Sequence, residues 1–164
     1  MMFEPRPKGL GKDNFLKLND KEEVTGIFRG DIRKFRRHWI DATDRSQDCT
    51  GKDCSACKQF PDKAPAFRFR INFAVLKGDQ LIPRIFEGSG EIYDMLTTLD
   101  KKVDLSKTPI EITRTGLKQN TRYTFFPMHN MPFTKEMEAK LKALPLLPLS
   151  VETTEETIAE SVPF

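Results

Sequence analysis

The sequence predicts a mainly β protein: a small, partly open barrel of five to six strands, with one or two short helices and a long polar loop insertion. Three observations predict it. Residues 67–75 alternate cleanly, with Phe67, Phe69, Ile71, Phe73 and Val75 on one face and Arg68, Arg70 and Asn72 on the other. Residues 23–35 form a longer stretch in which Val24, Gly26, Phe28, Gly30 and Ile32 share a face. Glycine inside a strand marks a bend or bulge, which a small curved barrel requires. Finally, 164 residues with 38% hydrophobic side chains and 13 Phe supply one compact core, and there is no 18-residue apolar run.

The remaining elements follow in chain order. Residues 1–12, with Pro5, Pro7, Gly9 and Gly11 beside Arg6, Lys8 and Lys12, read as a flexible basic arm. A short strand at 15–18 precedes a turn at 19–21 and the long strand. Residues 39–65 are polar and lack periodicity, so they read as an insertion. After the strand at 67–75, a turn at 77–80 leads into a strand at 81–86. Ser89 caps a helix at 91–99, and strands at 110–115 and 121–127 flank a turn at 116–120. Thr134 caps a second helix that runs to about residue 144, with Met137, Leu141 and Leu144 at apolar spacing. From 145 onward the composition is that of a disordered tail. A helix interposed among short strands makes an oligonucleotide-binding (OB) barrel the leading candidate for the domain at 13–144, with the insertion at 38–60 as one of its loops.

Charge is distributed unevenly. The whole chain carries +3, but residues 143–164 hold Glu152, Glu155, Glu156 and Glu160 and no cation. Residues 1–142 therefore carry 27 cations against 20 acids, a net of +7. A basic body with an acidic tail points to a polyanionic partner. The absence of a signal-like or membrane-length apolar segment gives the expectation of a soluble, intracellular protein without a membrane partner.

All three cysteines, Cys49, Cys54 and Cys57, fall within nine residues. An odd number packed this closely is a poor disulfide framework. With His38 eleven residues upstream they form a closed three-thiolate, one-imidazole set for structural Zn2+, in which the C-x-x-C turn brings two sulfurs to one ion. His129 is the rival fourth ligand, and a set of merely reduced cysteines is the alternative to a metal site. Catalysis is not expected. Asp41, Asp44, Asp48 and Asp53 lie in the same loop without catalytic spacing, and no nucleophile stands beside a base.

Between residues 33 and 39 the sequence interleaves Arg33, Lys34, Arg36 and Arg37 with Phe35 and Trp39. Single-stranded nucleic acid is held by this combination, cations for phosphates and flat rings for bases. Arg68 and Arg70 on the polar strand face, and Arg114, Lys118, Arg122 and Tyr123 around the last hairpin, extend the candidate surface. A solvated charged face is the competing reading of the same run. The acidic tail can mimic phosphates, and its Pro163-Phe164 end can be captured by partner proteins.

With His38, Cys49 and Cys54-Ser55-Ala56-Cys57 set before the strand Phe67-Arg68-Phe69-Arg70-Ile71-Asn72-Phe73, the chain resembles the zinc-containing helix-destabilising proteins of T-even-type phages over residues 15–127. The resemblance implies an OB barrel, a zinc subdomain held by one His and three Cys in this order, and non-enzymatic coating of single-stranded DNA in the cytoplasm of an infected bacterium. The ending Val162-Pro163-Phe164 is similar to the tips of bacterial single-stranded DNA-binding proteins, which implies recruitment of replication or recombination proteins. An RNA-binding or transcription-regulating zinc protein, or a zinc module that binds protein, are the alternatives, and the oligomeric state is left open.

Overall fold

The computed structural model describes residues 14–40 and 45–149. The arm at 1–12, Asp41 and Asp44, and the tail from residue 150 onward, Pro163 and Phe164 included, lie outside the described residues.

The architecture is mainly β, a six-stranded antiparallel sheet with few helices. The elements are β1 (Glu23–Ile40), β2 (Arg45–Asp48), α1 (Ser55–Gln59), β3 (Ala66–Lys77), β4 (Gln80–Ser89), α2 (Gly90–Lys102), β5 (Ile110–Thr115), β6 (Arg122–Pro127) and α3 (Lys135–Ala143). Their order in the sheet is β4-β3-β1-β5-β6, with β2 pairing on the far half of β1. The sheet coils so that its two outer strands meet across the core: Phe86 of β4 contacts Tyr123 and Phe125 of β6, with ring centroids 6.2 and 5.9 Å apart. Residues 15–18, expected as a strand, make only a bridge between Phe15 and Ile85, and the sixth strand is β2 instead.

Alternation decides what is inside. Phe69 and Phe73 of β3, Phe28 of β1, Phe86 of β4 and Ile110 and Ile112 of β5 form the buried core, and Leu96 of α2 closes one end. Gly26 is required by this packing. A Cβ there would lie 2.3 Å from the Ala74 carbonyl oxygen and 2.6 Å from the Phe73 ring. α2 begins as expected, with the Ser89 hydroxyl accepting from the Ile92 N–H, and it turns Tyr93 onto Phe67 and Phe69. Thr134 caps α3 in the same way, accepting from the Met137 N–H.

The expected inner face of β1 ends early. Between the pairs Arg29–Asn72 and Arg33–Arg70 the register shifts, and β1 holds two more residues than β3. Gly30 takes a φ of +77° and Ile32 is exposed, so neither continues the core face. Because the insertion is even-numbered, parity survives it. Odd-numbered β1 residues lie on the face opposite Phe28 on both sides of the bulge, with Ile27 fully buried and Arg33, Phe35 and Arg37 partly exposed, and the strand runs on to Ile40. No helix of the described residues is long and apolar enough to cross a membrane.

Candidate metal centre and cation–aromatic face

The second half of β1 carries two sites, one on each face. Its even-numbered side chains include His38, which is buried. β2 pairs antiparallel with β1, matching Arg37 to Asp48 and His38 to Gln47, and the Cys49 N–H donates to the Arg36 carbonyl just beyond. The chain then turns at Gly51, whose φ of +96° suits a residue without a Cβ, and the Cys54 N–H closes that turn on the Gly51 carbonyl. Cys54 is the N-cap of α1, which places Cys57 one turn along on the same side.

These steps bring His38, Cys49, Cys54 and Cys57 together, with all four ligand atoms within 4.8 Å of one another. His38 Nε2 lies 3.3 Å from Cys57 Sγ and 3.6 Å from Cys54 Sγ, and the Cys49 and Cys57 sulfurs are 3.6 Å apart. A tetrahedral ion with thiolates at about 2.3 Å and imidazole at about 2.0 Å needs edges of roughly 3.5–3.8 Å, so the donor set fits. Its chemistry fits as well. Backbone N–H groups of Thr50 and Cys57 pull the Cys54 thiol down to about 6. Hydrogen bonding with Cys49, then burial and the neighbouring Cys54, push the Cys57 thiol up to about 11. Adjacent sulfurs compete for one negative charge, and a cation between them removes the conflict. His129 is exposed and stands apart from this cluster.

The odd-numbered side chains of β1, Arg33, Phe35, Arg37 and Trp39, share the outer face with Arg68, Arg70 and Asn72 of β3 and Glu87 of β4. Register sets the rows: Arg33 pairs with Arg70 and Arg70 with Glu87, while Phe35 pairs with Arg68. Guanidinium carbons of Arg70, Arg37 and Arg33 lie 4.6, 5.2 and 5.6 Å from the Phe35 ring centroid. Trp39, at the end of the stripe, is 55% exposed. Glu87 gathers Arg37, Arg68 and Arg70 at 2.8–3.2 Å. Burial works to raise its carboxyl, but these three guanidinium groups hold it below the ordinary range.

Residues 145–149, expected as part of the tail, lie across this same face. Asn72 reads the Leu147 peptide in both directions, its amide nitrogen donating to the carbonyl at 3.0 Å and its oxygen accepting from the N–H at 2.8 Å. Arg29 donates to the Leu144 carbonyl at 2.5 Å, and Arg33 and Arg70 both donate to the Leu149 carbonyl at 3.1 Å. Leu146 sits over Gly30, 3.1 Å from where a Cβ would stand.

The other candidates are placed elsewhere. Lys34 and Arg36 are on the opposite face of β1 from Phe35, with the Lys34 ammonium over the Tyr93 ring. Arg114 is turned inward, donating to the Leu18 carbonyl and the Thr121 hydroxyl, and Tyr123 packs on Phe86. Lys118 and Arg122 are exposed at the β5–β6 turn. Sequence reasoning missed Glu87, Arg29 and the strap at 145–149. Only the strand register reveals the first, since Glu87 is directly opposite Arg70. No family model, no curated protein and no solved structure matches the chain.

Proposed function

We propose that the protein binds single-stranded DNA on the outer face of an OB-like barrel, largely without sequence specificity and without catalysis. One observation carries the reading: Arg33, Phe35, Arg37 and Trp39 alternate along one face of β1 beside Arg68 and Arg70. This juxtaposes flat rings with guanidinium groups, the two kinds of surface that hold single strands. Leaving β2 aside, five strands in the order β4-β3-β1-β5-β6 with a helix between β4 and β5 support the reading of an OB-like barrel, a fold that takes oligonucleotides on its second and third strands and the loop after the first. Here those strands are β3 and β4, and the loop is the one with the metal cluster. His38, Cys49, Cys54 and Cys57 would hold Zn2+, which supplies a structural crosslink beside the stripe. The biological setting implied by the resemblance, phage DNA replication, recombination or repair, belongs to the same proposal.

The reading predicts that a labelled oligo-dT binds with an affinity that falls steeply as salt rises, and that duplex DNA competes at least tenfold less well, since it offers phosphates but no free base faces. RNA of equal length competing better than DNA would move the function to RNA. Equal competition by duplex would contradict single-strand recognition.

The strap gives the tail a role as well. The Leu149 carbonyl occupies both Arg33 and Arg70, and Glu152, Glu155, Glu156 and Glu160 follow it in the sequence. The tail thereby modulates DNA binding, and its Pro163-Phe164 end recruits replication or recombination proteins. Deleting residues 145–164 is expected to raise oligo-dT affinity roughly threefold at low salt, the worth of about one phosphate contact at Arg33, with the difference fading at high salt. Unchanged affinity across the salt range would remove the modulatory role.

A further inference from the structure

A carboxylate lies in the middle of a surface proposed to bind a polyanion. Glu87 Oε1 accepts from Arg70 Nε at 2.8 Å and Arg37 Nη2 at 3.1 Å, and Oε2 accepts from Arg37 Nη1 at 3.0 Å and Arg68 Nη2 at 3.2 Å. The Arg37 Nε faces Asp48 at 3.4 Å, which commits the whole fork of that side chain to acids. Arg70 is 4% exposed, and its Nη1 is given to the Leu149 carbonyl. Of the four arginines in the stripe, Arg33 is the one that pairs with no acid among the described residues.

Free guanidinium forks bind phosphate bidentately, whatever polymer carries it. A fork already closed on a carboxylate has less to offer phosphate, but its flat face stays available for stacking. Arg37 is held in this way against the Phe35 ring and Arg68 is in register with it, while Arg70 is buried between the Phe35 and Phe15 rings. A stacking surface rewards bases that are already unstacked, as in a single strand, and gives nothing to a duplex or to another polyanion.

We propose that Glu87 is a specificity-determining residue. It withholds Arg37, Arg68 and Arg70 from phosphate, fixes buried Arg70 beneath Phe35, and holds the partly exposed Arg37 and Arg68 guanidinium groups beside it as base-stacking surfaces, so that the face selects single strands over other polyanions. The proposal rests on the reading that this face binds single strands. In it, Arg33 is the phosphate contact of the stripe and the other three arginines are not.

The test uses the full chain with three probes, oligo-dT, an abasic deoxyribose-phosphate strand of the same length, and a duplex, each titrated across salt. Wild type should prefer oligo-dT to the abasic strand by at least about tenfold. Arg33→Gln should make the plot of log affinity against log salt shallower by about 0.7, while Arg37→Gln should leave the slope unchanged. Glu87→Gln, which keeps the shape and removes the charge, should steepen the slope by about 0.7–1.4 and tighten the abasic strand and the duplex about tenfold. The preference for oligo-dT over duplex then shrinks. An unchanged slope and an unchanged preference in Glu87→Gln would overturn the proposal, as would an Arg37→Gln slope that falls as far as that of Arg33→Gln. Where Glu87→Gln fails to melt cooperatively, the wild-type preference and the Arg33 and Arg37 variants decide. Failure of wild type to bind oligo-dT at all would overturn the single-strand reading beneath it.

Discussion

Replacing Cys54 and Cys57 together by serine is expected to abolish bound zinc and lower stability by more than about 4 kcal/mol, since loss of a metal is among the few changes with effects that large. The size of the effect follows from how little else holds the loop. β2 is four residues of Arg-Ser-Gln-Asp with no apolar alternation, and α1 is five residues long. Neither would stand without a crosslink. The cluster ties this loop to β1 through His38, between Arg37 and Trp39, so its loss also loosens the far end of the stripe. Oligo-dT affinity should therefore fall in the double variant and in the chelated protein, without any ligand residue touching DNA. Acid should act in the same direction. Zinc needs thiolates, so protons compete with it, and the metal is retained above the range where the sulfurs reprotonate and released as pH falls through it. Metal content by native mass spectrometry across pH reads this directly, and a double serine variant that keeps zinc would refute the ligand assignment.

The second large effect is on binding. Phe35→Ala combined with Trp39→Ala should weaken oligo-dT binding by about 2–6 kcal/mol, taking about 1–3 kcal/mol for each stacked base. The salt slope should hardly change, because no cation is removed. Phe35 lies beneath three guanidinium groups and Trp39 is exposed at the edge, so a melting curve taken beside the titration separates lost stacking from lost packing. A weakening confined to Trp39→Ala would mean that Phe35 serves the arginines and not the bases.

Much of this is legible in the sequence, for physical reasons that can be named. The unbroken alternation at 67–75 locates β3 and both of its faces, and the hydroxyls of Ser89 and Thr134 mark the starts of α2 and α3. The four candidate ligands come together because a C-x-x-C turn and a short antiparallel pairing leave the loop few ways to close. What composition hides is register. The interleaved run at 33–39 reads as one patch, yet strand parity sends Lys34 and Arg36 to the opposite face from Phe35. Arg114 reads as a free cation, but the curl of the sheet brings the Leu18 carbonyl to it. Glu87 looks like an ordinary strand-end acid until it is set opposite Arg70. The strap is hidden for a different reason. Residues 145–149 are held by their peptide groups, and hydrogen bonding through the main chain leaves no signature in the side chains.

The measurement that bears most directly on the central claim is intrinsic fluorescence of Trp39 during titration with oligo-dT and with duplex DNA over a range of salt. Trp39 is the single tryptophan of the chain and lies on the proposed stripe, so the signal has one source. Saturable quenching by oligo-dT that reverses with salt and is far weaker with duplex is the predicted result. A fluorescence unchanged by oligo-dT, together with no preference for single strands in a parallel competition, would contradict it.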